Sequence, residues 1–351
     1  ELASTIDLFP TIAKLIGGLG FALVYTYYYK YGGDTFTYYS DAQMITRYLF
    51  EDPINAVRLM LDPDNVEAPA AQQIVRRFGF SHTTSEFPVV RSAAVLNVLA
   101  MNSYYSTTVL FASFSYFGVW LFFLVFAGRY PQIRNQLAVA ILFIPSVFFW
   151  GSGIMKDSMV IGYLGVLFYT LNRFLKGGLG RWFWLALAVV CGAVIFSVKA
   201  YVIMALAPAL MLWVVMNSRE KIRNRVLRAL VVPVLFIVAI VAVVGVVDLL
   251  GKYQTKYSIE NFYSSAESMQ SWHYVEGQNT SAEHGRGSSY SLGEYDPSFW
   301  GTLKVFPAAV NVTLFRPYVW EVKNAAMLAA ALESLVVFVF TLVIFIGLGF
   351  F

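Results

Sequence analysis

Four short clusters hold the ionisable side chains best suited to chemistry, and each is embedded in apolar or aromatic sequence. In GGDTFTYYSDA, residues 32–42, Asp34 follows Gly32 and Gly33 and precedes a row of aromatics that includes Tyr38, with Asp41 close behind. Such a carboxylate has two readings. It caps the helix that follows, or the glycines turn it back so that it acts as a general base on a hydroxyl within hydrogen-bond reach. In PSVFFWGSGIMKDS, residues 145–158, a glycine turn leads to Lys156 and Asp157 at the start of a helix. Asp157 suits a helix N-terminus on dipole grounds alone, whereas a cation gains nothing there, so Lys156 with the turn's amides suits a phosphate. Lys199 in FSVKAYV lies between two apolar stretches with almost no loop between them; it either snorkels to headgroups or meets a phosphate. In TLFRPYVWEVKN, Arg316, Glu321 and Lys323 sit among Phe315, Tyr318 and Trp320. Arg316 either pairs with Glu321 or offers its planar fork to a phosphate, with Pro317 interrupting the helix beside it.

The elements that must position these groups are apolar. The chain has 351 residues, of which 58% are hydrophobic and 13% charged, which excludes an ordinary soluble domain and implies an integral membrane protein. Cys191 is the single cysteine and lies in an apolar run, so neither a disulfide framework nor a thiolate metal site is expected. His82, His273 and His284 are scattered, and no HExxH, CxxC or Walker sequence occurs. No metal or other cofactor is therefore expected, a divalent cation is not indicated, and no nucleic-acid partner is expected.

A bilayer core takes about 20 apolar helical residues. That predicts helices near 9–28, 105–127, 134–151, 157–175, 181–198, 201–217, 228–250 and 327–350. The expected fold is an all-α polytopic membrane protein with about eight or more transmembrane helices, in one membrane domain over 1–351. The chain lacks an initial methionine and stops inside an apolar run, so more membrane domain is expected beyond Phe351. Segments 88–103 and 303–318 are apolar but interrupted, and stay open between spans and interfacial pieces. Glu333 falls inside the last apolar run and must face protein or water.

Arg129 and Arg134, then Arg173, Lys176 and Arg181, then Arg219 to Arg228 mark alternate connections as cytoplasmic. Most acidic residues fall in 29–104 and 251–303, which alternation places outside. Within the first, Ala42, Ile45, Leu49, Ile54, Val57 and Leu59 recur at helical spacing with Pro53 between two runs, predicting short amphipathic helices at the membrane surface. The second, rich in Ser, Gly and Tyr, predicts an outer loop. All four charged clusters fall on the outer side.

An apolar first helix, a long outer segment opening with an aspartate, and short-looped helices with outer basic residues together resemble the GT-C superfamily of polytopic glycosyltransferases. GGDTFTYYSDA is similar to the GD-x-x-x-Y pattern of bacterial members, and PSVFFWGSGIMKDS is similar to their P-x-x-FFW-SG-x-x-KD segment. The layout likeness covers residues 9 to about 217. It implies transfer of a sugar from a polyprenyl-phosphate-linked donor to an acceptor on the outer face of a bacterial inner membrane. Asp34 would be the catalytic base, and Lys156, Lys199 and Arg316 would hold the donor phosphate. Asp41, Asp157, Tyr38 and Glu321 would support them, and the tyrosines with Trp272, Trp300 or Trp320 would stack on sugar rings. Many members carry a paired acidic motif in the first outer loop; here Asp41 is the nearest partner of Asp34, which argues against a metal-dependent mechanism. A lipid-linked glycan polymerase or ligase stays open, as does a non-enzymatic transporter or a structural subunit of an envelope complex working with other proteins.

Overall fold

A computed structural model of the chain describes residues 2–81, 85–178, 180–218, 271, 296, 298–323 and 325–349, and among these the regular elements are all helical. The chain divides into two compact units, Glu1–Ala229 and Leu230–Phe351. In the first, α1 is Leu2–Leu23, continued by a π-turn over Val24–Tyr28. Then come α2 (Asp34–Glu51), α3 (Pro53–Leu61), α4 (Pro69–Arg77) and α5 (Phe87–Leu99). The remainder is α6 (Tyr104–Arg129), α7 (Arg134–Leu142), α8 (Pro145–Phe149), α9 (Lys156–Lys176) and α10 (Arg181–Ser218). Four helices of the described residues are long and apolar enough to cross a membrane: α6, α9, α10 and the last helix of the second unit. The bent pair formed by 131–142 and 145–152 makes up to five. The chain is thus a helical membrane protein.

Ring and close backbone contacts give the direction of each pass. Phe114 meets Tyr163 and Phe122 meets Phe168, so residue numbers rise together and α6 and α9 run parallel. Two parallel neighbours require the chain between them to return their full length, which identifies 130–155 as a crossing. It is a broken one. Pro145 has no N–H and forces Ile144 into extended backbone (ψ 122°), so a single helix over 134–151 gives way to α7 and α8, bent by 59°. Pairing of Thr26 with Tyr105 and of Gly18 with Ala112 makes α1 antiparallel to α6.

Helix α10 is continuous in hydrogen bonding but has φ −143°, ψ 78° at Lys199. Straight, it would separate Trp184 from Trp213 by about 43 Å. Yet Trp184 lies against Tyr169 and Trp213 against the adjacent Phe168, with ring centroids 6.0 and 5.7 Å apart. The element is therefore a hairpin whose tip is Lys199, as its sequence implied for 181–198 and 201–217. The resulting alternation puts Arg129, Arg134, Arg173 and Arg181 at one end and Lys156, Lys199 and the α2–α5 segment at the other.

The α2–α5 segment is built on its own small core. Tyr38, Ala42 and Ile45 share one face of α2, at most 1% exposed, against Val89, Val90 and Ala93 of α5. Asp52 caps α3 through the Asn55 N–H at 3.1 Å, with Pro53 at the first helical position, so the predicted amphipathic helices form with the break where expected. Segment 88–103 resolves into α5, about 20 Å long and too short to span.

In the second unit, α11 (Phe299–Phe315) covers most of 303–318 and α12 (Ala325–Gly347) the last apolar run, where Glu333 is half-buried. The helix predicted at 228–250, most of the loop 251–303, Trp272 and the three histidines lie outside the described residues.

Helices α6 and α9 touch through glycine backbone: a Cβ added to Gly165 would lie 1.8 Å from the Gly118 carbonyl oxygen. No side chain fits there, and a membrane helix pair without a hydrophobic driving force depends on such close approach. Gly165→Ala is expected to cost about 2–3 kcal/mol, seen as a lowered thermal midpoint in detergent. Gly192→Ala in α10, where an added Cβ meets nothing within 4 Å, should leave that midpoint unchanged.

Candidate functional site

Two of the four proposed chemical residues, Lys156 and Lys199, come together where α5, α9 and the α10 hairpin meet, and the buried Tyr38 hydroxyl of α2 feels Asp34 together with Glu86 and Asp157, the acids that pair those lysines. Asp34 is the first residue of α2, held there by a run of uncommon backbone: Lys30, Tyr31 and Gly33 all have positive φ, 51°, 64° and 82°. Gly33 is required twice over, because a Cβ there would also lie 2.8 Å from the Tyr25 ring. The residue in the cap position is Gly33, so Asp34 is not the N-cap that a plain reading of GGD suggested. Its side chain is exposed and has no hydrogen-bond or ion-pair partner among the described residues, so neither carboxylate oxygen is committed to the fold.

Asp41 is different. It is 1% exposed, and its two carboxylate oxygens accept the Gly79 and Phe80 N–H groups at 2.9 and 3.0 Å. Burial pushes its pKa up while those two donors pull it down. Asp41 thus ties the chain after α4 to α2. It supports the site by fixing its frame and has no oxygen to spare for a second role.

Tyr38, one turn after Asp34, is 1% exposed and stacks on Phe80 at 4.5 Å. Burial, then the carboxylates of Asp34, Glu86 and Asp157, raise its pKa well above the ordinary tyrosine range. One hydroxyl therefore feels acids from three separate segments, and it stays protonated.

Lys156 and Asp157 open α9 side by side. Lys156 is ion-paired with Glu86, the residue before α5, and donates to Ser85 Oγ at 2.9 Å. Asp157 accepts from Lys199 Nζ at 2.6 Å. The lysine side chains are only 18% and 20% exposed. Glu86 and Asp157 thus match the two ammonium groups one for one. The resemblance implied that these lysines hold a donor phosphate; here each is already paired with an acid. Among the described residues no group of three His, Cys, Asp or Glu could hold a metal ion.

Arg316 belongs to the second unit. It is paired with Glu321, Nε to Oε2 at 3.0 Å, and that pairing holds the Glu321 pKa below its ordinary value. Glu321 also accepts the Tyr318 N–H at 2.9 Å, and Tyr318 stacks on Trp320 at 4.7 Å. Of the two sequence readings, the internal pair is the one formed.

Sequence reasoning passed over two residues. Glu86 was one acid among many; its position just before a Pro-initiated apolar helix was the available signal. Lys14, a lone lysine in the first apolar segment, is 4% exposed and donates to the Val147 carbonyl at 2.6 Å, bracing α8 beyond the break. Compared with known protein families, with characterised proteins and with solved structures, the chain matches none.

Asp41→Ala should leave two amides without their acceptor and cost about 2–3 kcal/mol. Amide exchange at Gly79 and Phe80 should accelerate, while exchange within α6 and α9 stays at the wild-type rate.

Proposed function

We propose that the chain is a membrane glycosyltransferase of the GT-C type, moving a sugar from a polyprenyl-phosphate-linked donor to an acceptor hydroxyl at the outer face of a bacterial inner membrane. The observation that carries this is that an unspent carboxylate, Asp34, acts on the same buried Tyr38 hydroxyl as Glu86 and Asp157, the two acids that pair Lys156 and Lys199. The fold in this proposal is a GT-C-like bundle of eight or more spans. Toward that number the first unit offers α6, α9, the broken crossing and the two arms of the α10 hairpin.

In the proposed reaction Asp34 takes the proton of the acceptor hydroxyl. The acceptor oxygen bonds to the anomeric carbon of the donor, the bond from that carbon to the phosphate oxygen breaks, and the lipid phosphate leaves with the bonding pair. Lys156 and Lys199 stand where the leaving charge collects, and a half-buried setting strengthens their effect. Tyr38, kept protonated, is a neutral donor in the same cluster.

One observation favours a second reading, a transporter. Discontinuous helices beside a buried charge are the usual architecture of transport sites, and the broken crossing with Lys14 has that form. Asp34 takes no part in it.

Asp34→Asn separates the two. In proteoliposomes supplied with a lipid-phosphate sugar and an acceptor glycan, transfer should fall by at least about 10², with the thermal midpoint unchanged. Retained transfer removes the base role, and flux of intact substrate with no covalent product points to the transporter.

A further inference from the structure

Helices α5 and α9 both start at the Glu86–Lys156 pair, and beyond it Ser92 Oγ meets the Met159 sulfur at 3.7 Å. A cavity of about 280 Å³ opens there, lined by Ser92, Val95, Leu96, Phe111, Phe114, Met159 and Tyr163. Its lining is chiefly hydrocarbon and aromatic, Val95 is exposed at its edge, and Ser92 already donates to the Pro88 carbonyl at 2.9 Å. An apolar groove that begins one helical turn from a half-buried lysine fits a ligand with an alkyl chain and an anionic head.

Glu86 occupies the place of that head. It precedes α5, but its side chain makes no cap bond to that helix and reaches across to Lys156 instead. A half-buried ammonium needs an anion beside it whether or not ligand is bound, so the pair satisfies Lys156 in the empty site. A phosphate offers more charge and more acceptor oxygens than a carboxylate, and it can take both Lys156 and Ser85 while Glu86 turns to solvent.

We propose that Glu86 is a resident stand-in for the headgroup of a phosphate-bearing lipid: the lipid's chain enters the α5–α6–α9 groove and its phosphate displaces Glu86 from Lys156. This rests on the lipid-phosphate donor of the proposed function and adds how the empty site is kept neutral and how it opens. The exchange swaps one anion for another, so Lys156 is never left uncompensated.

The sign of one substitution tests it. With the full chain in phosphatidylcholine nanodiscs and dodecyl phosphate as probe, Glu86→Gln removes the competitor and should tighten binding about three- to tenfold, the range that losing a half-buried ion-pair partner implies. Lys156→Met should weaken it by at least about tenfold, and Lys156→Arg should retain it. Val95→Trp, at the groove's edge, should weaken dodecyl phosphate and leave inorganic phosphate unaffected. Unchanged or weaker binding in Glu86→Gln overturns the stand-in role, and equal affinity for inorganic and dodecyl phosphate overturns the groove. If Glu86→Gln does not fold, Glu86→Ala reads the same sign. The readout is binding, so a chain that meets these signs but transfers no sugar loses the transferase reading and keeps this one; transfer with the wrong sign does the reverse.

Discussion

The charge at the start of α9 has to be balanced inside the protein, and that end of the first unit is arranged around the requirement. Lys156 and Asp157 are adjacent and opposite, and they point to different partners. Glu86 reaches Lys156 from the start of α5, and Lys199 reaches Asp157 from the hairpin tip. Each pair is half-buried, so losing either partner would leave a charge where water solvates it poorly. The two contacts therefore fix the register of three elements at once. The α10 chain turns where Lys199 can meet Asp157, and α5 begins where Glu86 can meet Lys156.

The glycine contact further along the bundle serves the same end. Because Gly118 and Gly165 let the backbones of α6 and α9 approach closely, the two helices pack in parallel. The intervening chain must then return the full length and deliver Lys156 to the end where α6 begins. It does so with a helix break at Pro145, and Lys14 from α1 holds the second half in place through the Val147 carbonyl. A buried lysine spent on a carbonyl in the middle of a bundle is costly. Here it restores a donor to backbone that the break exposes.

Much of this was legible in the residues. Apolar runs locate the passes, basic connections locate one end, and amphipathic spacing with Pro53 locates α2 and α3, because each of these signals is local. Lys199 between two apolar arms already implied a hairpin. The pairings were not legible: Glu86 and Lys156 are 70 positions apart, and nothing in either neighbourhood names the other. Asp34 and Asp41 look alike in GGDTFTYYSDA, about two helical turns apart. Only the fold tells them apart, since the α4–α5 connection places two amides on Asp41 and none on Asp34. The break in 134–151 was hidden because its two halves have the combined hydropathy of one span, and Pro145 reads equally well as a kink.

The balance of charge also bears on what the site can do. An unpaired lysine pair would attract any anion and hold product as firmly as substrate. Lysines already matched by Glu86 and Asp157 present little net field, and a ligand gains only the difference between its own contacts and those it replaces. Catalysis depends on interactions that strengthen as the reaction proceeds, and uniform binding adds nothing to the chemical step. In the proposed reaction the leaving phosphate gains charge as its bond breaks, and competition with the carboxylates for the same ammonium groups would favour it most at that moment. Asp34, exposed and without an ion-pair partner among the described residues, is left out of this balance, unlike Glu86 and Asp157.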